Sequence, residues 1–180
     1  MPLHHHDCFV GCTLVVVALA AFFDTRTGRI PNLVTLPPLA AAPLVHGLVS
    51  GPGALGGSFL GAVLCAAVPA LLFVRGGMGG GDVKLFAALG ALLGTQLGLE
   101  IELGSLWLAA LCVCARLAWH GQLFAVLGYA LHALWWKLAP DTGLVRQPPA
   151  TLGSDFRLGA AIGCATLAVL LLDGLPWLAR

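Results

Sequence analysis

Two aspartates, Asp24 and Asp82, stand where an apolar run of the sequence meets a polar stretch. Asp24 follows the apolar run that begins at Cys8, and Asp82 follows a run of five glycines in the six residues 76–81. An ionisable group at the margin of a membrane span is costly to keep and is a functional candidate by default. Two carboxyls held close in a partly dehydrated site cannot both ionise, because like charges raise one of the two pKa values. The pair then offers one carboxylate and one carboxylic acid, as aspartic general acid–base catalysis requires.

In that chemistry the carboxylate takes a proton from water as the water attacks a peptide carbonyl, and the acid polarises the carbonyl or protonates the leaving amine. The proton belongs to the pair, so the sequence does not assign it to either residue. The alternative is that each aspartate only forms an ion pair at the lipid headgroups. Asp24 would then pair with Arg26 or Arg29, and Asp82 with Lys84. Two aspartates on one membrane face, one of them beside a glycine run, favour the catalytic interpretation.

The glycine run predicts a peptide-binding loop. It lacks the G-x-x-x-x-G-K-[ST] pattern of a phosphate loop, and it holds more glycine than a helix-packing contact needs. We expect a mobile loop whose bare backbone bonds an extended peptide as an added strand, with Asp82 at the helix start that follows. The predicted substrate-binding residues are Gly79, Gly80, Gly81 and Lys84.

The composition places these residues in a membrane protein. Of 180 residues, 59% are hydrophobic and 9% charged, and the mean hydropathy is +0.95. Soluble domains are about 25% charged, so a water-facing surface is excluded, as is disorder. A net charge of +1 also excludes a basic nucleic-acid binder. The apolar runs are too long for β-barrel strands, so the predicted fold class is an all-α integral membrane protein.

About six transmembrane helices are predicted, in a single domain covering residues 1–180. The predicted spans are 8–23, 30–50, 54–74, 83–99, 103–119 and 158–178, and 121–137 is predicted to be interfacial or an extension of the fifth helix. Two spans separate Asp24 from Asp82. Because that number is even, both aspartates emerge on the same side of the membrane.

The basic residues predict which side that is. With these spans, only Arg180 lies on the opposite side from the other Lys and Arg residues, which are Arg26, Arg29, Arg75, Lys84, Arg116, Lys137, Arg146 and Arg157. The side rich in Lys and Arg is cytoplasmic by the positive-inside rule, so the N-terminus lies outside. The segment Ala18-Leu19-Ala20 is similar to a signal-peptide cleavage site, but residues 1–7 contain no Lys or Arg, so we expect the first span to be retained.

The six cysteines form no C-x-x-C pair, so neither a zinc ribbon nor a thioredoxin-type site is predicted. All lie in or beside apolar runs and are expected to pack as small hydrophobic residues. No metal ligand is predicted.

Two segments resemble the prepilin peptidases, or type IV leader peptidases, among the GxGD aspartyl proteases. They are G-G-M-G-G-G-D-V-K-L at 76–85 and D-x-R-x-x-x-I-P-N at 24–32, and A-A-L-G-A-L-L-G at 87–94 continues the similarity. The resemblance covers about residues 22–97. It implies an inner-membrane endopeptidase that cuts the short basic leader from prepilins or pseudopilins on the cytoplasmic side, after a glycine. It also implies Asp24 and Asp82 as the catalytic pair, no metal or organic cofactor, and a lipid bilayer but no nucleic acid as partner; the oligomeric state is not predicted.

The sequence departs from longer family members in lacking their paired C-x-x-C motifs, so it resembles the short peptidases of tight-adherence (Flp) pilus systems, and N-methyltransferase activity is not expected. The last span of the family often begins with a Pro-Tyr-Gly type segment, where this chain has G-S-D-F-R at 153–157. Two alternatives stay open. One is an archaeal preflagellin peptidase, and the other is a non-enzymatic scaffold or transporter subunit whose aspartates are structural or carry protons. A presenilin-like protease is disfavoured because no P-A-L motif stands near the C-terminus.

Overall fold

The computed structural model describes residues 3–138 and 158–178, and these residues are helical apart from short connections. Within them there is no β-strand. The helices are α1 (Leu3–Thr27), α2 (Asn32–Ser50), α3 (Pro52–Val74), α4 (Gly80–Leu93), α5 (Thr95–Trp119), α6 (Leu123–Leu138) and α7 (Leu158–Leu178). The predicted all-α architecture is therefore confirmed.

Glycine ends each helix from α1 to α5. Each of the five connections between α1 and α6 contains one glycine in the left-handed region, where a side chain would be strained. These residues are Gly28, Gly51, Gly76, Gly94 and Gly121, with φ between 66° and 89°. The sequence thus marks every turn between consecutive helices of residues 3–138.

Two boundaries differ from the sequence prediction. The fourth helix ends at Leu93 rather than at residue 99, because Gly94 has a φ of 83° and its N–H donates to Gly90 O. Helix α5 therefore includes Glu100 and Glu102, whereas the predicted spans 83–99 and 103–119 leave 100–102 as a loop between two helices. Glutamate is a good helix former, so charge alone does not end a helix. The segment 121–137 is a separate helix after the turn at Gly121, and not an extension of the fifth; its place relative to the membrane stays a prediction.

Four helices of the described residues are long and apolar enough to cross a bilayer. They are Cys8–Thr27, Asn32–Ser50, Pro52–Val74 and Thr95–Trp119, and α7 contains a shorter apolar stretch, Ala161–Leu171. Large apolar side chains such as Leu33, Leu48 and Val74 are more than four-fifths exposed, which suits a surface that contacts lipid rather than water. The prediction of an integral membrane protein is confirmed, and the number of six spans stays a prediction.

The chain forms two compact units, Met1–Leu108 with Arg157–Arg180, and Ala109–Phe156. The core of the first unit is built around α4. Leu85, Phe86 and Leu89 of α4 are fully buried. They pack with residues of α1, α5 and α7, which are Val16, Val17, Ala20, Ile101 and Ile162.

Helix α4 is held tightly at its far end. Gly61 of α3 and Gly90 of α4 touch through their backbones, and a methyl group on either would overlap the carbonyl oxygen of the other. The last carbonyls of α4 have no partner within the helix. Ser58 Oγ donates to Ala91 O over 2.6 Å, and His46 Nε2 lies 3.2 Å from Leu92 O. These contacts fix the helix whose first turn carries Asp82.

Candidate active site

Asp24 lies in the last turn of α1, and its side chain is only 7% exposed. The helix ends just after it, since Gly28 N donates to Asp24 O over 2.9 Å with Gly28 in the left-handed region. Pro31, with extended backbone, then starts α2. The short connection turns the chain back while keeping the Asp24 carboxyl inside the protein.

Asp82 lies in the first turn of α4, three residues after the N-cap residue Gly79. Its backbone N–H donates to Gly79 O over 3.1 Å. Gly80 and Gly81 are part of the helix, so the predicted mobile glycine loop is shorter than expected and stops at Gly79. A helix can begin here because Gly80, Gly81 and Asp82 do not have left-handed backbone conformations.

The two aspartates line one cavity of about 260 Å³. Its wall is formed by two segments, namely residues 24 and 28–30 at the α1–α2 connection and residues 79–82 at the start of α4. The structure therefore brings together Asp24, Asp82 and the three predicted substrate-binding glycines. Lys84 lies further along α4, where its Nζ donates to Asn32 Oδ1 over 2.8 Å. That bond joins the two sequence segments on which the family resemblance rests.

Gly81 sets how closely these two segments approach. A methyl group at position 81 would lie 3.0 Å from Ile30 Cβ and 3.5 Å from Ile30 N and O. The first of these distances is too short for a relaxed contact, so a side chain would push α4 away from the α1–α2 connection. A methyl group at Gly79 would lie 3.1 Å from Asp82 Oδ2. A side chain at Gly79 or Gly81 would thus crowd the cavity wall.

The surroundings of Asp82 favour its protonated form. Asp82 lies just before the predicted fourth span, and its pKa is raised to about 6, chiefly by burial. The neighbouring Asp24 carboxylate contributes to this increase, and a backbone hydrogen bond from Gly79 partly opposes it. Below about pH 6 Asp82 is therefore mostly protonated, and burial contributes more to this than the like charge considered in the sequence analysis.

Two of the cations in the alternative ion-pair interpretation have other partners. Arg26 Cζ lies 4.8 Å from the centre of the Phe22 ring. Lys84 contacts Asn32, as described above. Arg29 does line the cavity. Among the described residues, no group of three or more His, Cys, Asp and Glu side chains could hold a metal ion.

Sequence reasoning missed one residue of the site, Gly159 in the first turn of α7. Its backbone N–H donates to Asp24 Oδ2 over 2.8 Å. The sequence prediction for the entry to the last span concerned G-S-D-F-R at 153–157, which lies outside the described residues. The available signal was the glycine two residues later, where the apolar run begins.

Fold and site together define a helical membrane protein with two carboxyls on one glycine-lined cavity. Residues 11–115 match the profile of the type IV leader peptidase family. Because the match covers more than half of the chain, this protein belongs to that family. The resemblance stated from the motifs is thereby confirmed.

Two curated relatives carry the name prepilin leader peptidase/N-methyltransferase. The Bacillus subtilis protein is 36% identical over 113 residues, which cover 58% of this chain and 44% of the relative. The Neisseria gonorrhoeae protein is 39% identical over 123 residues, or 64% of this chain and 42% of the relative. The chain thus matches less than half the length of either relative. No solved structure matches. Peptidase activity and the absence of N-methyltransferase activity therefore both stay predictions for this chain.

Proposed function

We propose that this protein is an aspartic endopeptidase that removes the short basic leader from prepilin-like proteins, with Asp24 and Asp82 as its acid–base pair. One observation carries the proposal. The carboxyls of two residues 58 positions apart line the same small cavity, and its remaining wall is largely glycine backbone. Membership of the type IV leader peptidase family supplies the substrate class.

The reaction begins with a water molecule between the two carboxyls. The Asp24 carboxylate takes a proton from the water as its oxygen attacks the scissile carbonyl, and protonated Asp82 donates to the carbonyl oxygen. The C–N bond of the resulting tetrahedral species then breaks, and the amine leaves with a proton from the pair. The raised pKa of Asp82 supports this order of roles, although a coupled pair titrates as a unit.

The glycine backbone at 79–81 is proposed to bind the substrate as an extended strand. Gly80 and Gly81 lie in the first turn of α4, where N–H groups have no acceptor within the helix, and the scissile bond would lie next to Asp82. Lys84 would reach a substrate by exchanging its bond to Asn32 for one to the peptide. The orientation proposed from the basic residues puts this cavity at the cytoplasmic face of a bacterial inner membrane, with the N-terminus outside.

The test is leader removal from a co-expressed candidate prepilin, followed on a gel. Asp24→Asn and Asp82→Asn should each abolish cleavage, with losses of at least about 10³-fold, because each removes a proton-transfer group. The matched control is Glu100→Gln, an exposed carboxyl of α5, which should cleave normally. Cleavage that persists after loss of either aspartate excludes the two-aspartate mechanism. If the wild-type chain and all variants leave the pilin uncut, the scaffold or transporter interpretation is favoured instead.

The proposed orientation has its own test. Reporters fused after Gly28 and after Gly77 should both report the cytoplasm, and a reporter fused at Gly51 should report the opposite side. These three glycines lie in the connections α1–α2, α3–α4 and α2–α3. Opposite readings at Gly28 and Gly77 would put the two aspartates on different membrane faces and end the proposal.

A further inference from the structure

Helix α7 reaches the candidate site through one residue, Gly159. This residue is buried, and its N–H donates to Asp24 Oδ2 over 2.8 Å. The N–H groups in the first turn of a helix have no acceptor within the helix. The bond to Asp24 therefore gives one of these N–H groups an acceptor, and it fixes the Asp24 carboxyl in one orientation.

The approach is so close that only glycine fits. A methyl group at position 159 would lie 2.7 Å from both Asp24 Cβ and Asp24 Oδ2. Among the described residues, the glycines at positive φ do not include Gly159. Glycine is therefore needed at this position for space and not for backbone conformation.

The same face of α7 offers a natural comparison one turn later. A methyl group at Gly163 would lie 3.7 Å from Ala21 Cβ and from Val17 Cγ1, which is ordinary van der Waals contact. Both glycines thus belong to one interface between α1 and α7. Of the two, only Gly159 touches a residue of the proposed acid–base pair.

We infer that Gly159 is a positioning residue for catalysis, because its N–H holds the Asp24 carboxyl in place on the cavity that Asp24 shares with Asp82. This inference rests on the proposed function. An N–H can only donate, so Asp24 Oδ2 acts as an acceptor towards α7.

The test compares Gly159→Ala, Gly163→Ala and Asp24→Asn with the wild-type chain, each purified and assayed on a prepilin. Gly159→Ala should lower kcat on the order of 10²-fold by displacing Asp24, since misplacement of about 1 Å has that effect. KM should stay unchanged because the glycine backbone at 79–81 is untouched. The pH dependence of kcat should also shift, because the spacing of the two carboxyls changes. Gly163→Ala should keep the wild-type kcat and pH profile.

A second measurement uses only the wild-type chain, so its result does not depend on whether a variant folds. In the wild-type chain labelled with ¹⁵N-glycine, the amide proton of Gly159 should shift as the pair titrates between pH 4 and 8, whereas that of Gly163 should not. A chemical shift of the Gly159 amide proton that does not change with pH overturns the inference. So does a Gly159→Ala variant with wild-type kcat and pH profile, provided that Asp24→Asn is inactive. If Asp24→Asn cleaves normally, the proposed function itself fails, and the two failures are therefore distinguishable.

Discussion

Helices α1 and α2 help to form two cavities that differ sharply in chemistry. The cavity at the end of α1 and the start of α2 measures about 260 Å³ and is lined by two aspartates, an arginine and glycine backbone. The cavity near the start of α1 and the end of α2 measures about 200 Å³. Its lining is apolar apart from two cysteines and comprises Cys8, Phe9, Cys12, Pro38, Ala41, Ala42, Val45, Val49 and Leu92.

The comparison shows what makes a cavity reactive in this fold. At the apolar cavity, side chains cover the helix backbones, and Phe9 stacks on His46 with ring centres 4.0 Å apart. At the polar cavity, glycine leaves the backbone bare, so a peptide can reach its N–H and carbonyl groups. The volumes are similar, so size does not distinguish them. The residues at the helix ends do.

The largest effect on prepilin cleavage should come from adding a side chain to the bare glycine backbone of the polar cavity. Gly81→Val puts a branched side chain against Ile30, where even a methyl group is crowded at 3.0 Å. We expect prepilin cleavage to fall by about 10²-fold or more, because α4 and Asp82 move away from Asp24. The control is Gly57→Val in α3, where no atom lies within 4 Å of a new Cβ. Equal cleavage by both variants would show that close approach at Gly81 is unimportant.

A medium effect should follow from removing the charge in the polar cavity. The pKa of Asp82 is about 6 in the folded protein, against an ordinary value of 3.8 for aspartate. The folded state therefore binds more protons between about pH 4 and pH 6, and stability falls as the pH rises through that window. Asparagine cannot ionise, so Asp82→Asn should be more stable than wild type at pH 7 and no more stable at pH 4. The expected gain is about 1–2 kcal/mol, reduced for partial exposure to solvent.

Thermal unfolding in detergent at the two pH values measures this difference. Glu100→Gln is again the matched control, because its carboxyl is exposed. A gain for Asp82→Asn that is equal at pH 4 and pH 7 would mean that packing, and not ionisation, is responsible.

The smallest effect should come from filling the apolar cavity. Ala42 is buried and lines it, so Ala42→Val adds two methyl groups to unoccupied space. We expect a change in unfolding free energy within about 1 kcal/mol of zero, since filling and crowding oppose each other. Cleavage should be unchanged. A loss of cleavage greater than tenfold would mean that the apolar cavity takes part in substrate handling and that the contrast is too simple.

Much of the site could be predicted from the sequence because its signals are local. Asp24 at the end of an apolar run and Asp82 after a glycine run are both visible in the chain itself. The even number of spans between them predicts a common membrane face. The predicted length of the glycine loop was wrong, since Gly80 and Gly81 form the start of α4.

Contacts between distant segments could not be predicted in this way. The prediction of a loop at Glu100 and Glu102 was wrong, because neighbouring helices can bury a glutamate within a helix. The side chain of Glu102 is only 2% exposed. Helix α4 ends instead at Leu93, just before Gly94. The bond from Gly159 to Asp24 joins residues 135 positions apart, and no local pattern encodes such a pair.

The sequence by itself determined that this chain is a helical membrane protein and which two carboxyls stand at the margins of spans. These features follow from hydropathy and charge, which act over a few residues. Only the tertiary structure decided that the two carboxyls share one cavity, that Gly81 sets its width and that α7 holds Asp24. Those depend on how closely helices approach, which side-chain volume at distant contacts determines.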